Sequence, residues 1–410
     1  MKKIAFTFAG RENMMSRQAV FMRQAVDLGY VDEWHIWNFA RKDSDRAWLE
    51  REFGDARFVL TENDSLDYVR FSAFELARRE IGVVAQNDAH LLFQMTNGEC
   101  IEIVFGAFSN TRTLLRKFDH VGSYGLHAEP VEVSNLALRP GVENVVVLEQ
   151  EGDTVSIHLN GEPLFVVPGF ARSDSDILVH TGYGSQGIWR DASVQQKIRL
   201  VECGKEGFDG FSLAYAHYAS NLYADNLFLK LDDDIVYCDI EMLDDFFAEI
   251  ARTRGGNIVS ANVINNGVCA HYQAKHGYFP GLPLEFEYPL QGICGSLWES
   301  APMCATLHDY FVDHLPQIKD KALSGPKLFE LPPLDRFSIN FVGFKHVLFA
   351  YMQAAYFAAQ PSMDDEHLMT RVVPKLFNVE KSIFAPLLVS HLSFWKQHET
   401  LDVEKVLARY

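Results

Sequence analysis

NLFLKLDDDIVYCD, residues 226–239, is the stretch on which the reading of this chain turns. Leu227, Phe228, Leu229 and Leu231 make an apolar run broken only by Lys230, and Ile235 and Val236 resume it after Asp232, Asp233 and Asp234. An apolar strand ending in clustered carboxylates holds negative charge at a sheet edge, which is costly unless water or a cation compensates it. Hard divalent cations take oxygen ligands, and Mg²⁺ is often held by one or two carboxylates together with substrate phosphates. Alternate residues of an extended segment share a face, so Asp232 and Asp234 are expected on one side and Asp233 on the other.

Working outward, the N-terminal side reads β-α-β-α-β: a strand over 4–9, a loop at Gly10-Arg11-Glu12, a helix over 14–28, a strand over 33–40, a charged helix over 43–53 and a strand over 57–61. From about 62 to 193 the pattern changes to short apolar runs punctuated by Asn97-Gly98, Gly152-Asp153 and Asn160-Gly161, which are hairpin signals. The α/β pattern returns at 197–203, with helices over 208–222 and 240–252, a strand over 257–263, a loop-like stretch over 268–290, a helix over 303–314 and an irregular stretch over 319–335. A strand over 337–344 and helices over 345–359, 363–376 and 403–410 complete the chain. The predicted class is α/β: a mostly parallel domain in two pieces, 1–61 and 194–410, carrying an inserted antiparallel β-sandwich or jelly roll at 62–193.

The chain has 410 residues, enough for two domains, and a net charge of −18. That acidity excludes phosphate-backbone binding as a leading function, so no nucleic-acid partner is expected. Cys100, Cys203, Cys238, Cys269, Cys294 and Cys304 are scattered without a C-x-x-C pair, which argues against a zinc knuckle and suits a reducing, cytoplasmic setting. The opening MKKIAFTFAG reads as a first strand rather than a signal peptide, because its apolar run is short and meets Arg11 and Glu12 at once. The apolar stretch 347–363 contains Gln353, Gln360 and Pro361 and reads as a buried helix, so no transmembrane segment is expected. His90, His120, His127, His158 and His180 lack metal-ligand spacing and read as structural or surface residues.

KLDDDIVYCD resembles the D-x-D element of GT-A glycosyltransferases, the nucleotide-sugar-dependent enzymes whose core is Rossmann-like. Other segments fall in the same order. Gly10, Arg11 and Glu12 sit where that family's first loop touches the nucleotide, and NIVSANVINN is similar to the strand after the metal strand. LQGICGSLWE, with Gly292 and Trp298, looks like the segment lining the donor sugar. PSMDDEHLMTRVV resembles the E-D-x-D-L-S-x-R-L helix of inverting members, and SHLSFWKQHETL the late segment supplying a metal-binding histidine. The block 62–193 resembles the farnesoic-acid O-methyltransferase-like module, a β-sandwich without methyltransferase machinery.

The resemblance implies a site. Asp232, Asp234 and His391 would hold Mn²⁺ or Mg²⁺; Lys230, Asp232 and Asp233 would meet the nucleotide sugar, with Gly10, Arg11, Glu12, Gly292 and Trp298 around it. Asp365 would be the general base of an inverting transfer, with Asp364 and Glu366 in reserve. Tyr288 is a further stacking candidate. A UDP-sugar donor, a glycan acceptor and a place in surface-polysaccharide assembly are the corresponding expectations, with the oligomeric state open. Two alternatives stand beside this: a lectin-like carbohydrate-binding protein without activity, and a Mg²⁺-dependent phosphatase.

Overall fold

The computed structural model describes residues 1–54, 57–61, 68–73, 78–95, 99–119, 128–168, 175–182, 184–192, 197–203, 207–358 and 364–410. The Asn97-Gly98 pair, His120, His127 and residues 361–363 before the acidic helix lie outside them. The chain divides into two compact units, Met1–Arg51 with Glu206–Tyr410, and Glu52–Lys205. The sequence reading placed these limits at 61/62 and 193/194; Arg57–Thr61 and Ile198–Glu202 pair with each other and lie in the second unit.

In the first unit the strand order is Glu33–Asn38, Lys3–Ala9, Leu227–Asp232, Phe341–Lys345, Ile258–Ile264, Lys381–His391, Ile235–Cys238, with Leu328–Glu330 also on Lys381–His391. Lys3–Ala9 runs parallel to both its neighbours, and Ile258–Ile264 parallel to Lys381–His391. Phe341–Lys345 is antiparallel to the strands on either side of it, and Ile235–Cys238 and Leu328–Glu330 are antiparallel to Lys381–His391. The sheet is therefore mixed, and the expected Rossmann-like, mostly parallel GT-A class is corrected accordingly. The physical reason is that a strand buried on both faces reads as one apolar run in either direction. All seven residues of Ile258–Ile264 are buried, as are Phe341 to Phe344, so nothing in their pattern reports direction.

Two further readings change. The loop expected over 268–290 begins with a helix, Gly267–Lys275, whose Asn266 side chain caps the Cys269 N–H at 3.1 Å. The irregular stretch over 319–335 overlaps a helix, Leu315–Ser324, which has proline in its first turn, where the missing N–H costs nothing. Phe6, Tyr218, Phe228 and Phe349 fill the core against the sheet, with ring centroids 4.9 Å apart for Phe6–Tyr218 and 4.7 Å for Phe228–Phe349.

The second unit has two sheets. One runs Glu162–Val167, Thr154–Leu159, Glu143–Glu151, Arg78–Val84, Gly187–Asp191, Arg57–Thr61, Ile198–Glu202, antiparallel up to its last, parallel pair. The other runs Val69–Ala73, Ser175–Thr181, Ala89–Met95, Cys100–Gly106, Arg112–Phe118, Glu132–Ser134, antiparallel throughout. Ile81, Val83, Val146 and Leu148 from the first meet Leu91, Phe93, Ile103 and Val179 from the second in one core. On the second sheet's other face Glu102 is buried and accepts from Tyr68, His90 (2.7 Å) and Arg116 (3.5 Å). His90 thus serves as a structural partner. No helix among the described residues is long and apolar enough to cross a membrane.

Candidate metal centre

Register brings the aspartates to their partners. Phe8 lies opposite Asp232 in the parallel pair, so the chain leaving Lys3–Ala9 delivers Gly10 and Arg11 beside the aspartate turn. The Gly10 N–H donates to Asp233 Oδ2 at 2.9 Å. On the other side Ile235 pairs with His391, and the Leu392 N–H donates to the Asp234 carbonyl at 2.9 Å, which places the imidazole against Asp234. The Leu392 carbonyl in turn accepts from Asn265 Nδ2 at 3.1 Å and His308 Nε2 at 2.8 Å. Burial holds His308 down to about 4, so it acts there as a neutral donor.

One ligand atom each from Asp232, Asp234 and His391 lie within 4.8 Å of one another. His391 Nε2 stands 3.3 Å from Asp234 Oδ1 without the alignment of a hydrogen bond. Asp234 Oδ1 and His391 Nδ1 are both buried and have no hydrogen-bond partner among the described residues. Orphaned buried donors and acceptors are rare and call for an explanation. Two carboxylates and an imidazole suit Mn²⁺ better than Mg²⁺, which takes oxygen ligands, and a cation here would engage the orphaned carboxylate oxygen.

The electrostatics follow from burial and pairing. Burial alone raises the Asp234 carboxyl, but the His391 and Arg11 charges overcome it and hold it well below the usual carboxylate range. Burial lowers His391, but Asp234 and Asp232 together outweigh it, with a net upward shift. For Asp233 burial wins over Arg11, and its carboxyl moves upward. Arg11 donates to both Asp233 oxygens and to Asp234 Oδ2 at 3.0 Å, and its guanidinium is held more firmly charged than usual despite burial.

Lys230, expected to meet the nucleotide sugar, is paired with Asp232. It is buried, and its ammonium donates to Asp232 Oδ1 and to the Ile339 carbonyl at 3.0 Å. Asn340 holds the other Asp232 oxygen, with Nδ2 to Oδ2 at 2.9 Å. Asp232 is thus fixed by a lysine and an amide rather than by solvent. Lys230 also feels the charges of Asp365 and Glu366, so it lies between the aspartate turn and the acidic helix start.

At that helix start Asp364 caps the His367 N–H at 2.7 Å, and Asp365 Oδ2 accepts from the Tyr215 hydroxyl at 2.7 Å. Arg336 bridges Asp364, at 2.8 Å, and Glu366. Burial pushes the Glu366 carboxyl up to about 7, against the opposing pull of Arg336. Gly292 supports this arrangement by shape. Its φ is +81°, and a Cβ would fall 1.8 Å from the Arg336 carbonyl oxygen. Close backbone approach to Arg336 by itself requires glycine here.

Other expected residues lie elsewhere or reach the centre indirectly. Glu12 is half-exposed and pairs with Arg51 at 3.7 Å, away from the aspartates. Tyr288 donates to Asp335 Oδ2 at 3.0 Å and packs edge-on against His271. Trp298 joins the centre through Phe394, whose ring is 6.3 Å from Trp298 and 4.5 Å from His391. The exposed Trp395 crosses Trp298 at 5.5 Å. Tyr215, Arg336, Asn340, Phe394 and Trp395 escaped the sequence reading. Only the two aromatics carried a signal, standing beside His391 in HLSFWK.

No protein-family model matches the sequence, and no curated protein matches it. Solved structures match about a third of the chain. A Caenorhabditis elegans galectin, LEC-6, is 10% identical over 32% of this chain and 94% of its own, with a TM-score of 0.24. The carbohydrate binding module CBM66 of Bacillus subtilis is 12% identical over 31% of this chain and 76% of its own, with a TM-score of 0.22. A Bacillus licheniformis beta-glucanase is 11% identical over 31% of this chain and 66% of its own, with a TM-score of 0.22.

Proposed function

We propose that the first unit binds a divalent cation and a diphosphate-activated sugar, and that the chain transfers the sugar to an acceptor hydroxyl. The observation that carries this reading is the convergence of Asp232, Asp234 and His391 around a buried Asp234 oxygen that has no hydrogen-bond partner among the described residues. A bound Mn²⁺ or Mg²⁺ would supply charge neutralisation for the departing diphosphate. Asp232, Asp234 and His391 hold the position, Lys230 and Asn340 orient Asp232, and Arg11 offers a planar fork suited to phosphate oxygens. In transfer the acceptor oxygen bonds to the anomeric carbon, the bond to the diphosphate breaks with its electron pair leaving on phosphate oxygen, and the hydroxyl proton passes to a carboxylate of the acidic helix start. Glu366, raised to about 7, has a proton affinity suited to accepting a proton near neutral pH. Asp365 is engaged by Tyr215 and shapes that acceptor side.

A second reading, carbohydrate binding without transfer, is favoured by one observation. Arg11 already neutralises Asp233 and Asp234, so the acidic turn closes without a cation. Calorimetric titration of UDP, with and without Mn²⁺, separates the two. Cation-dependent UDP binding that Asp234→Asn abolishes supports transfer; sugar binding with no nucleotide binding under either condition supports the second reading.

A further inference from the structure

Arg11 stands in the place of a second positive charge. Its Nη2 donates to Asp234 Oδ2 at 3.0 Å and to Asp233 Oδ1, and its Nε donates to Asp233 Oδ2 at 3.2 Å. Asp234 is also the carboxylate that faces His391 across 3.3 Å. A guanidinium and a divalent cation on one buried carboxylate would repel each other strongly, because charges a few ångströms apart in such a setting are poorly screened. The same fork that grips a carboxylate fits a phosphate. Arg11 also directly precedes the sixteen-residue helix Glu12–Asp27, whose positive end favours an anion. The side chain is 39% exposed, so it has room to turn.

We infer that Arg11 is an internal counter-cation: it holds Asp234 until a divalent cation binds, then releases that carboxylate and turns its fork to the diphosphate of the donor. The inference rests on the function proposed above and adds to it a diphosphate-binding role that Arg11 takes up only when the cation is bound. Asp233 is the pivot, since it is anchored independently by the Gly10 N–H at 2.9 Å and keeps its bond to Nε as the fork swings. Cation and diphosphate therefore bind cooperatively, and the cation alone binds weakly.

The test uses the full chain and Arg11→Met, titrated by calorimetry first with Mn²⁺ alone and then with UDP at saturating Mn²⁺. Removing the competing charge should tighten Mn²⁺ about tenfold or more, while removing the fork should weaken UDP by about tenfold. Opposite signs in one variant cannot come from damaged folding, which lowers both. Arg11→Lys keeps a charge but loses the fork, and should weaken UDP with little gain in Mn²⁺ affinity. Unchanged or weaker Mn²⁺ binding by folded Arg11→Met overturns the inference. If neither Arg11→Met alone nor the wild-type chain with UDP present shows Asp234-dependent Mn²⁺ binding, the proposed function falls with it. If that binding is present and only the Arg11→Met gain is missing, the inference falls alone.

Discussion

Replacing Glu366 by glutamine should change how stability depends on pH. Burial holds this carboxyl at about 7 against a usual 4.5. Below 4.5 folded and unfolded chains both carry the proton. Between 4.5 and 7 the folded chain retains a proton that the unfolded chain has released, so stability falls as pH rises through that window and the contribution is gone above it. Two and a half decades of proton affinity, at about 1.4 kcal/mol per decade, set an upper bound of about 3.5 kcal/mol. The side chain is 22% exposed, and the interval from pH 5 to the folded value samples only part of that window, which reduces the expected loss to about 1–2 kcal/mol. Glutamine does not titrate and lacks this term. Urea unfolding at pH 5 and pH 8 measures it: the stability of wild type relative to Glu366→Gln should drop by that amount between the two. Parallel pH dependence in the two proteins would refute the argument that burial governs Glu366.

Other substitutions probe the framework. Gly292→Ala forces a Cβ onto the Arg336 carbonyl oxygen at a positive φ, and should cost about 2–4 kcal/mol in urea unfolding while displacing Arg336 from Asp364 and Glu366. Glu102→Ala strips Tyr68, His90 and Arg116 of their shared acceptor and leaves a buried guanidinium without its carboxylate, which should cost about 3 kcal/mol. Tyr215→Phe removes the hydroxyl that Asp365 accepts, and should lower stability by about 1 kcal/mol, read by thermal unfolding, while the fold is retained.

Parts of this structure are written locally, and others are not. The apolar run ending in three aspartates declares both a strand and a charged turn, and Leu227–Asp232 with the turn after it is what forms. Asn160 and Gly161 both take positive φ between paired strands, as an Asn-Gly hairpin turn requires. Strand direction is not local. Phe341–Lys345 is as apolar as a parallel strand would be, and its antiparallel direction shows only in its pairing with Leu227–Asp232 and Ile258–Ile264. The helix Gly267–Lys275 was hidden because Asn265-Asn266-Gly267 reads equally as a turn or as a cap.

The same division runs through the site. Asp232 and Asp234 could be named because clustered carboxylates are what a hard cation takes, and His391 only through the family resemblance of its segment; the three do meet. Lys230 could not be placed, since whether a lysine points at phosphate or back at Asp232 depends on Asn340 and Ile339, more than a hundred residues away. Gly292 looked like a sugar-lining glycine, and the close Arg336 backbone by itself requires glycine there. Arg336 itself lies in a segment without pattern and becomes visible only through Asp364 and Glu366.

The measurement that bears most directly on the central claim is calorimetry of UDP binding to the full chain, with and without Mn²⁺, in wild type and Asp234→Asn. The account predicts binding in wild type only when Mn²⁺ is present, and none in Asp234→Asn under either condition. UDP binding that ignores both the cation and Asp234, or no binding in any combination, would contradict it.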